Sequence, residues 1–225
     1  PFLLKELPLP VVGTAFTLAL LKEKLREHNL LEQADLREIA PRQTMTLGSL
    51  TFEFIGVSHS IVDGVGFAVH TPQGILVHSG DFKVDQTPVI GPATDLNRFA
   101  ACGEAGVLAL LSDSTNAERP GFTLSERQIG LTLEELIKEA PGRVIVAVFA
   151  SHISRLQQIV RLAAKYGRRV LFNGKSMVVN SRLAKELGYL TVEPDLEITV
   201  GDLERLPPNQ TIIVTTGSQG EPLSA

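Results

Sequence analysis

Residues 144–172 read VIVAVFASHISRLQQIVRLAAKYGRRVLF. The first seven, residues 144–150, form a continuous apolar run of the kind that parallel sheets bury on both faces. From residue 154 to 166 the period becomes helical. Leu156, Ile159, Val160, Ala163 and Ala164 share one face, and Arg155, Gln158, Arg161 and Lys165 share the other. Residues 169–172 return to a strand pattern. A helix over 125–140, closed by Pro141-Gly142, precedes this stretch, and a helix over 176–187 and a strand over 211–216 follow it. The β-α-β-α-β alternation predicts a parallel sheet with right-handed crossovers.

Towards the N-terminus the pattern changes. Residues 14–28 read as a helix, with Leu18, Leu21 and Leu25 on one face and Asn29 closing it. Residues 50–55 read as a strand. Residues 65–70 and 75–79 read as a hairpin across Thr71-Pro72-Gln73-Gly74, and residues 107–111 as a buried strand. The first half therefore reads as strands with few helices.

The 225 residues are 44% hydrophobic and 20% charged, which supports a sizeable core and excludes a disordered or fibrous chain. No apolar run approaches the length of a spanning helix, and the first residues do not read as a signal peptide. The start at Pro1 and the end at Gly-Glu-Pro-Leu-Ser-Ala read as cut from something longer. Cys102, the single cysteine, excludes an internal disulfide and a cysteine zinc cluster, and reads as a small buried apolar residue that suits a reducing cytoplasm. The net charge of −4 argues against a generally basic nucleic-acid coat. Residues 151–185, however, hold eight Lys and Arg and no Asp or Glu. Against a stretch of +8 the rest sums to −12 (−4 minus 8). Such a stretch is either a solvated face or a surface that focuses a polyanion.

Four loops carry hydroxyls, amides and glycines: 112–116, 151–154, 173–177 and 216–220. All four are expected at the carboxyl edge of the sheet, where open parallel sheets bind ligands. Their residue types suit phosphate and sugar oxygens, and Ser151 and Ser176 equally suit helix caps. Gly174-Lys175-Ser176 is not a P-loop, because the glycine required five positions earlier is Arg169. Gly64-Val65-Gly66 is too short for a dinucleotide fingerprint. His59 follows a strand and Asp81 follows the hairpin. Both are metal-ligand types, and each is also explained by a satisfied histidine or a capping aspartate. His28 and His70 are expected in solvent.

The ordered segments SHSIVD (58–63), HSGDFK (78–83), SDSTNAERPG (112–121), FASHISRLQQ (149–158), NGKSM (173–177) and TGSQGEP (216–222) strongly resemble ribonuclease J, a metallo-β-lactamase-fold nuclease of the β-CASP group. The resemblance implies an α/β fold: a partial αββα metallo-β-lactamase domain over residues 1–115, then most of a β-CASP domain with a mostly parallel sheet over 116–225. It implies a metal-dependent 5′-to-3′ exonuclease on 5′-monophosphorylated single-stranded RNA, with endonuclease activity, acting in mRNA decay and rRNA maturation. Two divalent metals are implied, zinc first and manganese as the alternative. A homodimer or homotetramer in the cytoplasm, working with RNA-decay machinery and no membrane, is implied as well. By the same resemblance, His59 is a metal ligand, Asp81 a metal-bridging aspartate and Asp113 the acidic residue that organises the site. Gly174, Lys175, Ser176, Met177, Thr216, Gly217, Ser218 and Gln219 match segments that line the RNA groove, and Arg155 lies on the basic stretch that would hold backbone phosphate.

Three departures qualify the match. The HxHxDH motif, which in the family lies just before a segment like residues 1–6, is absent. The C-terminal histidine motifs are absent too. Ser154 stands where family members often carry histidine, so His152 either substitutes for it or caps the helix. Two rival readings remain: another β-CASP or metallo-β-lactamase hydrolase acting on DNA or a small ester, and a non-catalytic RNA-binding fragment.

Overall fold

The computed structural model describes residues 1–217, which form two compact units. One comprises residues 1–59, 63–86 and 91–123. The other comprises residues 60–62, 87–90 and those from 124 onward.

The first unit is built on a five-stranded sheet in the order β3-β4-β5-β6-β7, from β3 (Thr44–Leu47), β4 (Leu50–Gly56), β5 (Val65–Thr71), β6 (Gly74–His78) and β7 (Val107–Leu111). All pairings are antiparallel except β6 with β7. The β5–β6 hairpin is the one the Pro-Gln-Gly turn predicts. One face packs on α3 (Leu96–Ala105), and Ile55, Ala68, Ile75, Val77 and Cys102 form the buried cluster, with Phe99 against it. Each large aliphatic side chain buried there contributes about 1.5–3 kcal/mol. Five elements were not read from the sequence: β3, α3, α1 (Phe2–Glu6), and the parallel pair β1 (Val11–Gly13) and β2 (Leu36–Glu38). The strands among them are three or four residues long, too short for period to mark. The expected helix over 14–28 is α2 (Ala15–Glu27). Asp63 holds its start from 47 residues away, accepting hydrogen bonds from Phe16 N–H and the Thr14 hydroxyl at 2.9 Å each.

A charged pair crosses the first unit's sheet. Glu53, 6% exposed on β4, accepts hydrogen bonds from Arg98 Nε and Nη2 at 2.6 and 2.9 Å, and His70 Nε2 lies 3.5 Å from it. His70 is thus half-exposed and engaged rather than free in solvent. The Arg98 guanidinium holds the Glu53 carboxyl below its usual range. A carboxylate with a depressed folded pKa stabilises the fold above its unfolded value, about 4.3, and that contribution is lost as pH falls through the folded value. Glu53→Gln is expected to lower stability by about 2 kcal/mol at neutral pH and to remove this acid-dependent loss, read from denaturation midpoints across pH.

The second unit is a three-stranded parallel sheet in the order β8-β10-β9, from β8 (Val144–Ala147), β9 (Arg169–Phe172) and β10 (Thr211–Thr215), with helices α4 (Glu126–Glu139), α5 (Ile153–Lys165) and α6 (Lys175–Glu186). The α/β class and the parallel strands are as the alternation predicts. Four details differ. β8 stops at Ala147, with Val148 N–H making one last bond to Thr215 O, and Ile145 is 66% exposed because β8 is an edge strand. β7 is fully exposed rather than buried, because it too is an edge strand. The loop over 112–116 leaves β7, so it belongs to the first unit's sheet and not to the edge shared by the other three loops. Finally, α5 has no broad polar face: Gln157 and Gln158 are buried with the apolar residues. Gln157 explains why, since its amide donates to Thr191 O at 3.0 Å and accepts from Thr191 N–H at 2.8 Å, as a neighbouring strand would.

The basic stretch is largely consumed by the second unit itself. Arg155 binds Glu126, Lys165 binds Glu134, Arg182 binds Glu186 and Lys185 binds Glu197. Arg168 is buried and donates to the carbonyls of Ala140 and Gly142 behind α4 at 2.6 and 2.9 Å, and Arg169 donates to Asp195 O. The run of charge in sequence is therefore not a stripe of unpaired charge in space.

Candidate functional site

Three loops of the first unit converge beyond the ends of β4, β6 and β7. His59 lies three residues past β4, Asp81 three past β6 and Asp113 two past β7. Backbone and hydroxyl groups stitch them together. Lys83 N–H donates to Ser58 O at 2.7 Å. The Thr94 hydroxyl accepts from Ser58 N–H at 2.9 Å and donates to Lys83 O at 2.8 Å. Buried Ser79 accepts from Asp113 N–H at 2.9 Å and donates to Gly80 O at 2.7 Å. Ser79 and Thr94 were not singled out in the sequence. Ser79 sits inside a quoted motif, whereas nothing around Thr94 marks it.

The position of Asp81 depends on two glycines. A Cβ at Gly66 would lie 2.5 Å from Ser79 O, so only glycine lets β5 pass this close to the end of β6. Gly80, at φ +64°, makes the turn, and a Cβ there would lie 2.8 Å from Val65 O. Asp81 is exposed, and its carboxylate has no partner among the described residues. His59 Nδ1 is buried without a hydrogen-bond partner among the described residues. A solvent-shielded imidazole nitrogen with no donor or acceptor is costly unless something outside the chain binds it.

Asp113 is a brace. Its Oδ1 accepts from the Thr115 N–H and hydroxyl at 3.0 and 2.9 Å, and its Oδ2 from Phe82 N–H at 3.4 Å. The Thr115 bonds, then the Phe82 bond and the neighbouring His59, hold its carboxyl below the usual range. Among the described residues no three His, Cys, Asp or Glu side chains gather as a metal-binding group. His59 and Asp81 fit a metal as two donors of an incomplete set.

In the second unit three loops follow the sheet's carboxyl edge. Gly174, at φ +95°, starts α6 with no side-chain cap, and a Cβ there would lie 3.5 Å from Thr216 Oγ1, so the Asn173–Gly174 and Thr216 segments are adjacent. Met177 is fully buried, so it presents no surface to a ligand. Ser218 and Gln219 lie outside the described residues. His152 caps α5: its Nδ1 accepts from Arg155 N–H at 3.3 Å and lies 3.1 Å from Ser154 Oγ, while its Nε2 is 3.8 Å from Glu126. The capping contact that one of the two alternatives for His152 expects is present. Arg155 donates from Nη2 to Glu126 at 2.8 Å. Among the described residues no helix is long and apolar enough to cross a membrane.

Residues 141–225 match the family model described as Ribonuclease J, beta-CASP domain. Along its whole length the chain is similar to ribonuclease J, being 47% identical to "Ribonuclease J" of Mycolicibacterium smegmatis, 46% to that of Thermus thermophilus and 44% to "Ribonuclease J2" of Bacillus subtilis. These alignments take in 100% of this chain and 40% of each relative, so the chain spans about two-fifths of the length of the curated relatives it matches. The fold also resembles a crystal structure of a protein of unknown function from Enterococcus faecalis V583, with a TM-score of 0.65 at 15% identity over 93% of this chain and 54% of that one.

Proposed function

We propose that these residues are part of a metal-dependent ribonuclease that degrades 5′-monophosphorylated RNA from the 5′ end and also cuts internally. The observation that carries this reading is His59 Nδ1, buried and unpaired where the loops of Asp81 and Asp113 meet, in a chain so similar to ribonuclease J. Residues 1–115 are read as the metallo-β-lactamase part and 116–225 as the β-CASP part.

His59 and Asp81 would each donate to one of a pair of divalent ions, zinc or manganese, with further donors supplied from outside the described residues. The bound metals supply a water of lowered pKa and offset charge on the scissile phosphate. The chain's own contribution is placement: Ser79, Thr94 and Asp113 fix the loops that present the two donors. The backbone of Gly174, Lys175 and Ser176, with Thr216, Gly217, Ser218 and Gln219, is read as holding RNA phosphates without reading bases, and the buried Met177 anchors the first turn of α6. Arg155 joins them only by sharing its guanidinium with Glu126. His152 positions α5. RNA decay and rRNA maturation in the cytoplasm, as a homodimer or homotetramer, follow from the same reading.

The test is a substrate panel with the full-length protein: 5′-monophosphorylated RNA, the same sequence as DNA, and a β-lactam, each with zinc or manganese. Hydrolysis of the RNA alone is expected. Cleavage of DNA or the lactam in preference to RNA would refute the reading.

A further inference from the structure

The loop after Asp113 carries a feature that the metal site does not use. Pro120-Gly121, with Gly121 at φ +95°, turns the chain and leaves Phe122 89% exposed, the most exposed of the large apolar side chains described. A phenyl ring held in water forgoes the stabilisation that burying it would bring. A single exposed ring is ordinary on a protein surface; this one lines a pocket. Phe122 and Phe82 share a cavity of about 310 Å³ with Lys83, Asp113, Thr115 and Asn116. That volume lies at the small end of the range for ligand pockets.

The composition of the wall narrows the ligand. Phe82 N–H donates to Asp113 Oδ2, so the pocket is joined directly to the loop that braces the metal donors. Its aromatic faces suit a flat π-system, and the Asn116 amide offers both a donor and an acceptor to the edge of one. Lys83 adds a cation, 3.9 Å from Asp85. An aromatic face, an amide and an ammonium around one small cavity match the face, edge and phosphate of a nucleotide.

We propose that Phe122 is a stacking platform for one nucleobase of the RNA strand, beside the metal site. The proposal rests on the ribonuclease reading and adds the binding mode. Stacking on a phenyl ring is tolerant of sequence, because every base has a π-face. It would hold the strand in register without selecting a base.

The test uses the full-length enzyme and short 5′-monophosphorylated RNAs, one set intact and one with a single abasic nucleotide moved along the strand. Phe122→Leu keeps an apolar side chain and loses the aromatic face, whereas Phe122→Tyr keeps the face. Phe122→Leu is expected to lower kcat/KM on intact RNA by about tenfold, with its melting temperature unchanged, and Phe122→Tyr to stay close to wild type. One abasic position should lower the wild-type kcat/KM by a similar factor and leave Phe122→Leu unaffected. The proposal is overturned if Phe122→Leu matches wild type on intact RNA. It is also overturned if the variant is slowed yet remains as sensitive as wild type to every abasic position, which would assign the ring to packing. A wild-type enzyme that cleaves no RNA would remove the ribonuclease reading itself, an outcome distinct from both.

Discussion

Asp81→Asn in the full-length enzyme is expected to reduce RNA hydrolysis by more than about a thousandfold while leaving RNA affinity within about twofold. The substitution keeps the size and loop position of the side chain. On the proposed reading it removes the negative charge of a metal ligand, and the several kcal/mol that bound metal ions would supply to the transition state would be lost with it. Affinity should survive, because the segments read as holding phosphate, around Gly174 and Thr216, sit on another sheet. Single-turnover cleavage and a binding titration on the same preparation separate the two effects. Turnover near wild type would sink the proposal that Asp81 is a metal ligand.

The largest stability effect is expected away from any donor, at Gly66. A Cβ there would meet Ser79 O at 2.5 Å, His78 O at 2.7 Å and Ser79 C at 2.8 Å, all backbone atoms that cannot swing aside. Gly66→Ala must push β5 and the end of β6 apart, at a cost of about 3 kcal/mol. For a chain of this size that corresponds to a melting temperature about 6–12 °C lower. The displaced segment carries Ser79 and Gly80, so Asp81 and the Ser79 bond to Asp113 shift with it, and hydrolysis should fall too. Gly103→Ala is the control. It lies within α3 with nothing inside 4 Å of the added Cβ, and should leave stability unchanged or raise it slightly. Equal melting temperatures for the two variants would contradict the steric account.

The long periodic elements were legible in the sequence. The stretch 144–172 gave β8, α5 and β9 with their order and parallel sense, because a continuous apolar run and a 3.6-residue period are hard to confuse over such lengths. Burial was less legible. Val107 to Leu111 and Val144 to Ala147 are apolar in sequence yet lie on edges, and which strand ends a sheet is decided by topology that local pattern does not encode. The buried polar side chains were hidden for a related reason. Gln157 and Arg168 sit inside because distant backbone groups need partners, and a partner 34 or 28 residues away leaves no trace in spacing. Of the candidate site, His59, Asp81 and Asp113 were found through motifs. The hydroxyls of Ser79 and Thr94 that hold their loops together became visible only with the fold.

The open side of β7 has a practical consequence. Val107, Leu108, Leu110 and Leu111 are 38–63% exposed on a strand that, among the described residues, is hydrogen-bonded to a neighbour on one side only. Unpaired amides flanked by aliphatic side chains template the addition of further strands. Expressed alone, these 225 residues would present an adhesive strip to every other copy. The yield of monomer would then be governed by protein concentration more than by fold stability, and a polar substitution at Leu108 or Leu110 would do more for solubility than any repair of the core.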